Sequence, residues 1–197
     1  MNTYIHHTLT KAEKEARRSK HLRHQEQERQ VKIASIPDHV HGIPVVEVPY
    51  TGVSKKHVKE LRREFNGLRK AFLKELAETQ TEALKQMGFS DNMLVDLAKG
   101  KTPNGFNVHH KIPLAGGGKN EFSNFILIKN DPYHVDIHRV SDLQISHIKE
   151  GETKLVKIPV PQGNVFIPQE QQQQNRAQTA TKNSINATLL HKMQKTR

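Results

Sequence analysis

Four histidines in one short stretch constrain this chain more than any other feature. Residues 108–139 read VHHKIPLAGGGKNEFSNFILIKNDPYHVDIHR. An adjacent pair, His109 and His110, opens the stretch, and a second pair, His134 and His138, closes it. The second pair is four residues apart, which on a helix stacks both side chains on one face, a turn apart. A helix is expected there because Asp131 can cap its start and Pro132 suits its first position, where no backbone N–H is needed. Two imidazoles so placed can share one divalent metal. A third ligand from His109 leaves coordination positions open, which marks a working metal rather than a closed structural zinc.

The first pair reads as extended chain. Neighbouring side chains on a strand point to opposite faces, so His109 and His110 are not expected to bind the same ion. One can face the metal while the other faces the substrate as a base. Residues 125–128, FILI, read as the returning strand, and residues 115–118, AGGG, help the chain turn between the two. The predicted unit is strand, loop, strand, helix, clamped by one metal.

That unit resembles the HNH endonuclease module, the ββα-metal fold, and within it the nuclease domains of DNase colicins and of HNH toxins delivered between bacteria. The resemblance covers about 32 residues, from Val108 to Arg139, and extends weakly to MGFSDNMLVDLAKGKTPNGFN before it and IPVPQGNVFIP after it. The colicin pattern runs adjacent histidines, a glycine-containing loop, an asparagine, then His-x-x-x-His on a helix. Carried over residue by residue, it implies that His109, His134 and His138 ligate the metal. It further implies that His110 is the general base and that Asn124 orients the base and braces the loop. One departure stands out: the colicins carry an acidic residue two places before the first pair, where this chain has Asn107. The loop lengths either side of Asn124 are also shifted by about one residue, which a loop absorbs.

The remaining histidines, at 6, 7, 21, 24, 39, 41, 57, 147 and 191, read as ordinary surface or core residues. Lys111, Lys119, Lys129 and Arg139 lie near enough in sequence to touch flanking phosphates; Lys111 and Arg139 are the candidate DNA contacts. As solvated surface cations they would need no such role.

Charge agrees with a polyanionic partner. Lys and Arg number 31 against 20 Asp and Glu, a formal net charge of +11, with a pI of about 9.8. Such a chain gains affinity for DNA by releasing phosphate counterions. There is no cysteine, so disulfides and thiolate metal sites are excluded and histidine must carry any transition metal. No apolar run is long enough to span a bilayer, and the N-terminal stretch lacks the apolar core of a secretory signal. Synthesis in the cytoplasm is expected, with any export left to a specialised secretion system.

The expected fold class is α+β: a ββα-metal core, packing helices on its N-terminal side and a C-terminal hairpin. Residues 1–35 read as a basic polar arm, helical from a Thr10–Glu13 capping box to about residue 31. Residues 36–100 combine an extended segment with helical support. In it, residues 43–48 read as an edge strand because Pro44 and Pro49 interrupt a ladder. Ser54 can cap a helix over residues 54–86, in which Leu61, Phe65, Leu68, Phe72 and Leu76 form one apolar stripe. Gly88 can end it. Ser90 caps a second helix over residues 91–99, with Met93, Leu94 and Leu97 inward. Residues 101–168 hold the metal core and closing strands, with residues 143–148 and 154–160 expected as a hairpin and 161–168 as an extended segment. Residues 169–197 read as a Gln-rich flexible tail, disordered or marginally helical; Leu189 and Leu190 would suit a short docking helix.

The leading expectation is a metal-dependent DNA endonuclease with little sequence specificity, using one Zn, Ni, Mn or Mg ion, since no base-reading module accompanies the site. The resemblance implies an antibacterial toxin and an acidic immunity protein in the producer. The alternatives are a phage, restriction or repair HNH nuclease, and a non-catalytic metal-stabilised DNA-binding module.

Overall fold

The computed structural model describes the backbone of residues 9–195 and the side chains within it, except those of residues 185 and 187–195. His6, His7 and the side chains of Leu189, Leu190 and His191 lie outside the described residues. The chain divides into two units, Met1–Ile36 and Pro37–Arg197.

The first unit is built on one helix, α1 (Lys11–Ala34). The Thr10 hydroxyl accepts from the Glu13 N–H, and the Glu13 carboxylate accepts from the Thr10 N–H at 2.8 Å, so the capping box forms as expected. None of its residues is buried, which follows from a sequence that is polar nearly all round.

The second unit mixes helix and sheet, as an α+β fold should. Its elements run β1 (His39–Val40), β2 (Ile43–Thr51), α2 (Lys55–Thr79), α3 (Thr81–Gln86), α4 (Asp91–Ala98), β3 (Phe106–His110), β4 (Phe125–Lys129), α5 (Val135–Ile145), β5 (Thr153–Pro159) and α6 (Gln169–Lys195). The hairpin β3–β4 is antiparallel, with His109 opposite Ile126 and His110 opposite Phe125. Alternation along β3 then gives the hairpin two different faces. On one, Val108, Phe125 and Leu127 bury against Phe72, Leu73 and Leu76 of α2 and Leu97 of α4. Each such side chain contributes roughly 1.5–3 kcal/mol when fully buried. On the other, Ile128 packs with Ile43 of β2 and Ile137 of α5. The segment after β5 closes the open edge of β4: Leu127 donates to the Asn164 carbonyl at 2.8 Å, and Phe166 donates back to Leu127 at 3.0 Å. This is the extended segment expected over residues 161–168.

Several local expectations hold. The α2 stripe buries Phe72 and Leu76, with Phe65 and Leu68 partly buried beside them. Ser54 and Ser90 cap α2 and α4 through their hydroxyls. Gly88, at φ +92°, follows the end of α3.

Five expectations are corrected. The single helix over residues 54–86 is two, broken at Gln80 (φ −124°). The hydroxyls of Thr79 and Thr81 bond back to the carbonyls of Glu75 and Ala77, which loosens a helix locally. The C-terminal hairpin does not form. Residues 143–145 complete α5, because Ile137, Gln144 and Ile145 keep the helical period, and β5 pairs with β2 instead, from Val45 opposite Pro159 to Thr51 opposite Thr153. That pairing puts β2 in the middle of the sheet β1–β2–β5 rather than at an edge. Pro49 is tolerated because β1 pairs only with Ile43 and Pro44, leaving that flank of β2 open beside it. Asp131 does not cap α5: its backbone is extended (φ −111°, ψ 130°), and an irregular turn over Asn130–His134 leads in without a side-chain cap. The Gln-rich residues 169–195 form helix α6. Gln, Ala, Lys and Arg all favour helix, and its start is tied down by Tyr133 to Glu170, Gln172 to the Ile167 carbonyl and Asn175 to the Gln86 carbonyl.

No helix among the described residues is long and apolar enough to cross a membrane.

Candidate metal centre

Strand β3 delivers His109 to the α5 side of the hairpin. His134, in helical conformation just before α5, and His138 within it lie one turn apart, as their spacing predicts. The three side chains converge: one imidazole nitrogen from each lies within 4.8 Å of the others. The Nε2 atoms of His134 and His138 are 3.2 Å apart. Zinc–nitrogen bonds of about 2.0–2.1 Å at tetrahedral angles would place ligand nitrogens roughly 3.4 Å apart, so the pair is already near that spacing.

His109 makes the case that the cluster fits a metal. It is 6% exposed, and its Nε2 is buried with no hydrogen-bond partner among the described residues. An unpaired buried polar atom costs on the order of 1–3 kcal/mol. Coordination would supply the missing partner. Burial, then the neighbouring His134, His138 and His110, hold His109 well below the usual histidine range. Burial and His138 lower His134 to about 4. Near neutral pH both rings therefore keep the lone pair that a metal needs. Three imidazole nitrogens and no carboxylate suit a borderline cation better than a hard one. Asp136, between His134 and His138 in sequence, is engaged elsewhere, by His41 Nε2 at 2.6 Å and Arg139 at 2.5 Å.

A cavity of about 420 Å³ opens on this cluster. His109, His134 and His138 line it together with His110, and Arg62, Phe65 and Asn66 reach it from α2. His110 sits at the end of β3, packed against the rings of Phe65 (centroids 4.3 Å apart) and Phe125 (4.9 Å), which also touch each other at 5.1 Å. Burial lowers its pKa below the usual range, a hydrogen bond with Asn120 opposes this, and the Arg62 charge adds to the lowering.

Asn124 braces the loop. Its Oδ1 accepts from the Ile112 N–H at 2.8 Å, and its Nδ2 donates to the carbonyls of Ile112 and Lys119. The loop it holds is tight: a Cβ on Gly118 would lie 1.9 Å from the Ile112 carbonyl oxygen, so only glycine fits. The expected second role of Asn124, orienting His110, is corrected: the hydrogen bond to that ring comes from Asn120, at 3.0 Å.

The two candidate phosphate contacts are placed outside the cavity lining. Lys111 donates through Nζ to the Ser123 carbonyl at 2.8 Å, and burial lowers its pKa. Arg139 is exposed and pairs with Asp136. The cation that lines the cavity is Arg62. Local spacing gave no sign of Arg62 or Asn66, because they sit on α2 beside the apolar stripe, far from the histidines in sequence. Asn120 lay inside the histidine stretch, but only the fold shows what it touches.

Over 128 residues the chain is 38% identical to a curated relative, "Uncharacterized protein YhhZ" of Escherichia coli (strain K12). The match covers 64% of this chain and 32% of the relative, so the chain spans about a third of that protein's length. No family model matches the chain, and no solved structure matches it.

Proposed function

We propose that this chain is a metal-dependent endonuclease of the HNH type, hydrolysing phosphodiester bonds of DNA with little sequence specificity. The observation that carries the reading is the convergence of His109, His134 and His138 on one point, in a cavity that His110 also lines. The hairpin β3–β4 followed by α5 supports it, since strand, loop, strand, helix is the order of the HNH module. So does the net charge of +11.

A phosphodiester resists hydrolysis because its charge repels nucleophiles and its alkoxide is a poor leaving group. His109, His134 and His138 would hold one divalent ion, Zn²⁺, Ni²⁺ or Mn²⁺ by the donor set, or Mg²⁺. Such an ion would supply Lewis-acid charge to offset the charge that develops on the phosphate and its leaving group. His110, neutral near pH 7, takes a proton from the attacking water as the new P–O bond forms and the bond to the 3′ oxygen breaks, and the leaving 3′ oxygen takes a proton from solvent water. Arg62 faces the same space and offsets phosphate charge. Asn124 keeps the loop after His110 in shape. Contacts of this kind go to phosphates, so binding weakens steeply with salt.

The resemblance extends the proposal to biology. The nuclease acts as an antibacterial toxin, leaves its producer through a specialised secretion system, and is restrained there by an acidic immunity protein.

The test is nicking of supercoiled plasmid by the parent and by His110→Ala across Mg²⁺, Mn²⁺, Ni²⁺ and Zn²⁺. The expected result is nicking by the parent with at least one ion, and in the variant a loss of about 10²–10⁴ in rate at equal metal loading. DNA bound but left intact under every ion would make this a non-catalytic metal-stabilised module. Equal rates for the two proteins would remove His110 as the base.

A further inference from the structure

Asn120 joins three parts of the site. Its amide can be placed in two orientations, and its neighbours decide between them. One end lies 2.8 Å from the Leu61 carbonyl oxygen and 3.3 Å from a Glu64 carboxylate oxygen, both on α2. A carbonyl and a carboxylate only accept hydrogen bonds, so the amide nitrogen, Nδ2, must be at that end. Oδ1 is then the atom 3.0 Å from His110 Nε2. An amide oxygen also only accepts, so Nε2 must carry a hydrogen. A neutral imidazole has one N–H, which leaves the lone pair on Nδ1.

Ring contacts do not secure this arrangement. Phe65 meets the His110 ring tilted at 54° and Phe125 meets it edge-on at 82°, and together they restrict its plane. A half-turn about the Cβ–Cγ bond keeps that plane while putting carbons where the nitrogens were. Only a directional bond to one nitrogen distinguishes the two poses, and Asn120 makes it.

We propose that Asn120 is a positioning residue: anchored on α2, it fixes His110 as the Nε2–H tautomer and presents Nδ1 as the nitrogen that takes the proton from water. The role of Nδ1 rests on the endonuclease reading; the tautomer does not. Helix α2 thereby supports the reacting end of the site as well as the core. Its Leu61 carbonyl sets which way the asparagine faces, and the asparagine sets which nitrogen is basic.

The test begins with the metal-free full chain, ¹⁵N-labelled at histidine and read by long-range ¹H–¹⁵N NMR without DNA. The His110 signals should show a protonated Nε2, its hydrogen protected from exchange, and an unprotonated Nδ1. A proton on Nδ1 overturns the proposal whatever the variants do. Two substitutions then separate positioning from packing. Asn120→Leu matches the shape and has no acceptor. It should lose the protected Nε2–H signal and lower kcat for plasmid nicking by about 10–100-fold, the range for losing a group that orients a working side chain. KM and zinc affinity should stay unchanged. Asn120→Gln keeps both the acceptor oxygen and the amide donor for α2, and should regain part of the signal and part of kcat. A Leu variant that keeps the protected hydrogen, or nicks at the parent rate, overturns the positioning role. A protected Nε2–H in a parent that never nicks DNA upholds the tautomer and overturns the endonuclease reading, so the two failures are told apart.

Discussion

His109 and His110 are neighbours on one strand, equal in chemistry and opposite in circumstance. His110 turns toward α2, packs against two phenylalanine rings, and has a hydrogen-bond partner in Asn120. His109 turns toward α5, is more deeply buried, and keeps an Nε2 with no partner among the described residues. Both have lowered pKa values, and burial is the leading cause in each. For His110 the Asn120 bond pulls the other way; for His109 the further contributions come from other histidines, all lowering. A buried ring with its bonds made can wait for a proton. A buried ring with a bond missing, facing two more imidazoles, lies close enough to them to share a metal ion.

The largest effects should separate the two residues. His109→Ala and His134→Ala should each weaken zinc affinity well beyond the about 10–100-fold that a lost supporting group costs, as read by competition with a chelator. His110→Ala should leave that affinity in place. A sharper version uses leucine. In the metal-free protein, His109→Leu removes an unpaired polar atom and should hold or raise stability, by up to about 1–3 kcal/mol. His110→Leu strips Asn120 Oδ1 of its donor and should lower stability by a similar amount. Chemical denaturation of both variants would break the comparison if they moved in the same direction.

Acid should act on the α5 side. The folded protein holds His134 at about 4, below its ordinary 6.5. Between those values the unfolded chain binds more protons than the folded one, so stability rises with pH across the interval. The metal-free protein should therefore lose stability as pH falls from about 6.5 toward 4, seen as a falling Tm. A Tm flat across that window would contradict the crowding of imidazoles described here.

Smaller effects belong to the supports. Gly118→Ala pushes a Cβ into the Ile112 carbonyl and should cost about 1–3 kcal/mol, measured by thermal unfolding. Arg139→Ala removes an exposed pair with Asp136 and should cost no more than about 1 kcal/mol, with plasmid nicking nearly unchanged.

What could be read in the sequence was what local rules encode. The four-residue spacing of His134 and His138, the alternation of His109 and His110, the Thr10–Glu13 cap and the stripe from Phe65 to Leu76 each depend on residues a few positions apart, and each is found in the fold. Partners distant in the chain were not legible. Nothing near β5 says that it pairs with β2, so the adjacent apolar run at residues 143–148 reads as its mate, although residues 143–145 complete α5. Nor does anything near Asn120 point to Leu61, 59 residues away. The site shows the same division. Its histidines come from one stretch, while Arg62 and the α2 carbonyl that orients Asn120 come from a helix whose pattern signals only packing.

The most direct measurement is a zinc titration of the metal-free protein, followed at the histidine ring nitrogens by ¹⁵N NMR. One equivalent should bind and shift ring nitrogens of His109, His134 and His138 together, while His110 keeps its protonated Nε2. Zinc that fails to bind, or a ligand set that includes His110 or omits His109, would contradict the account.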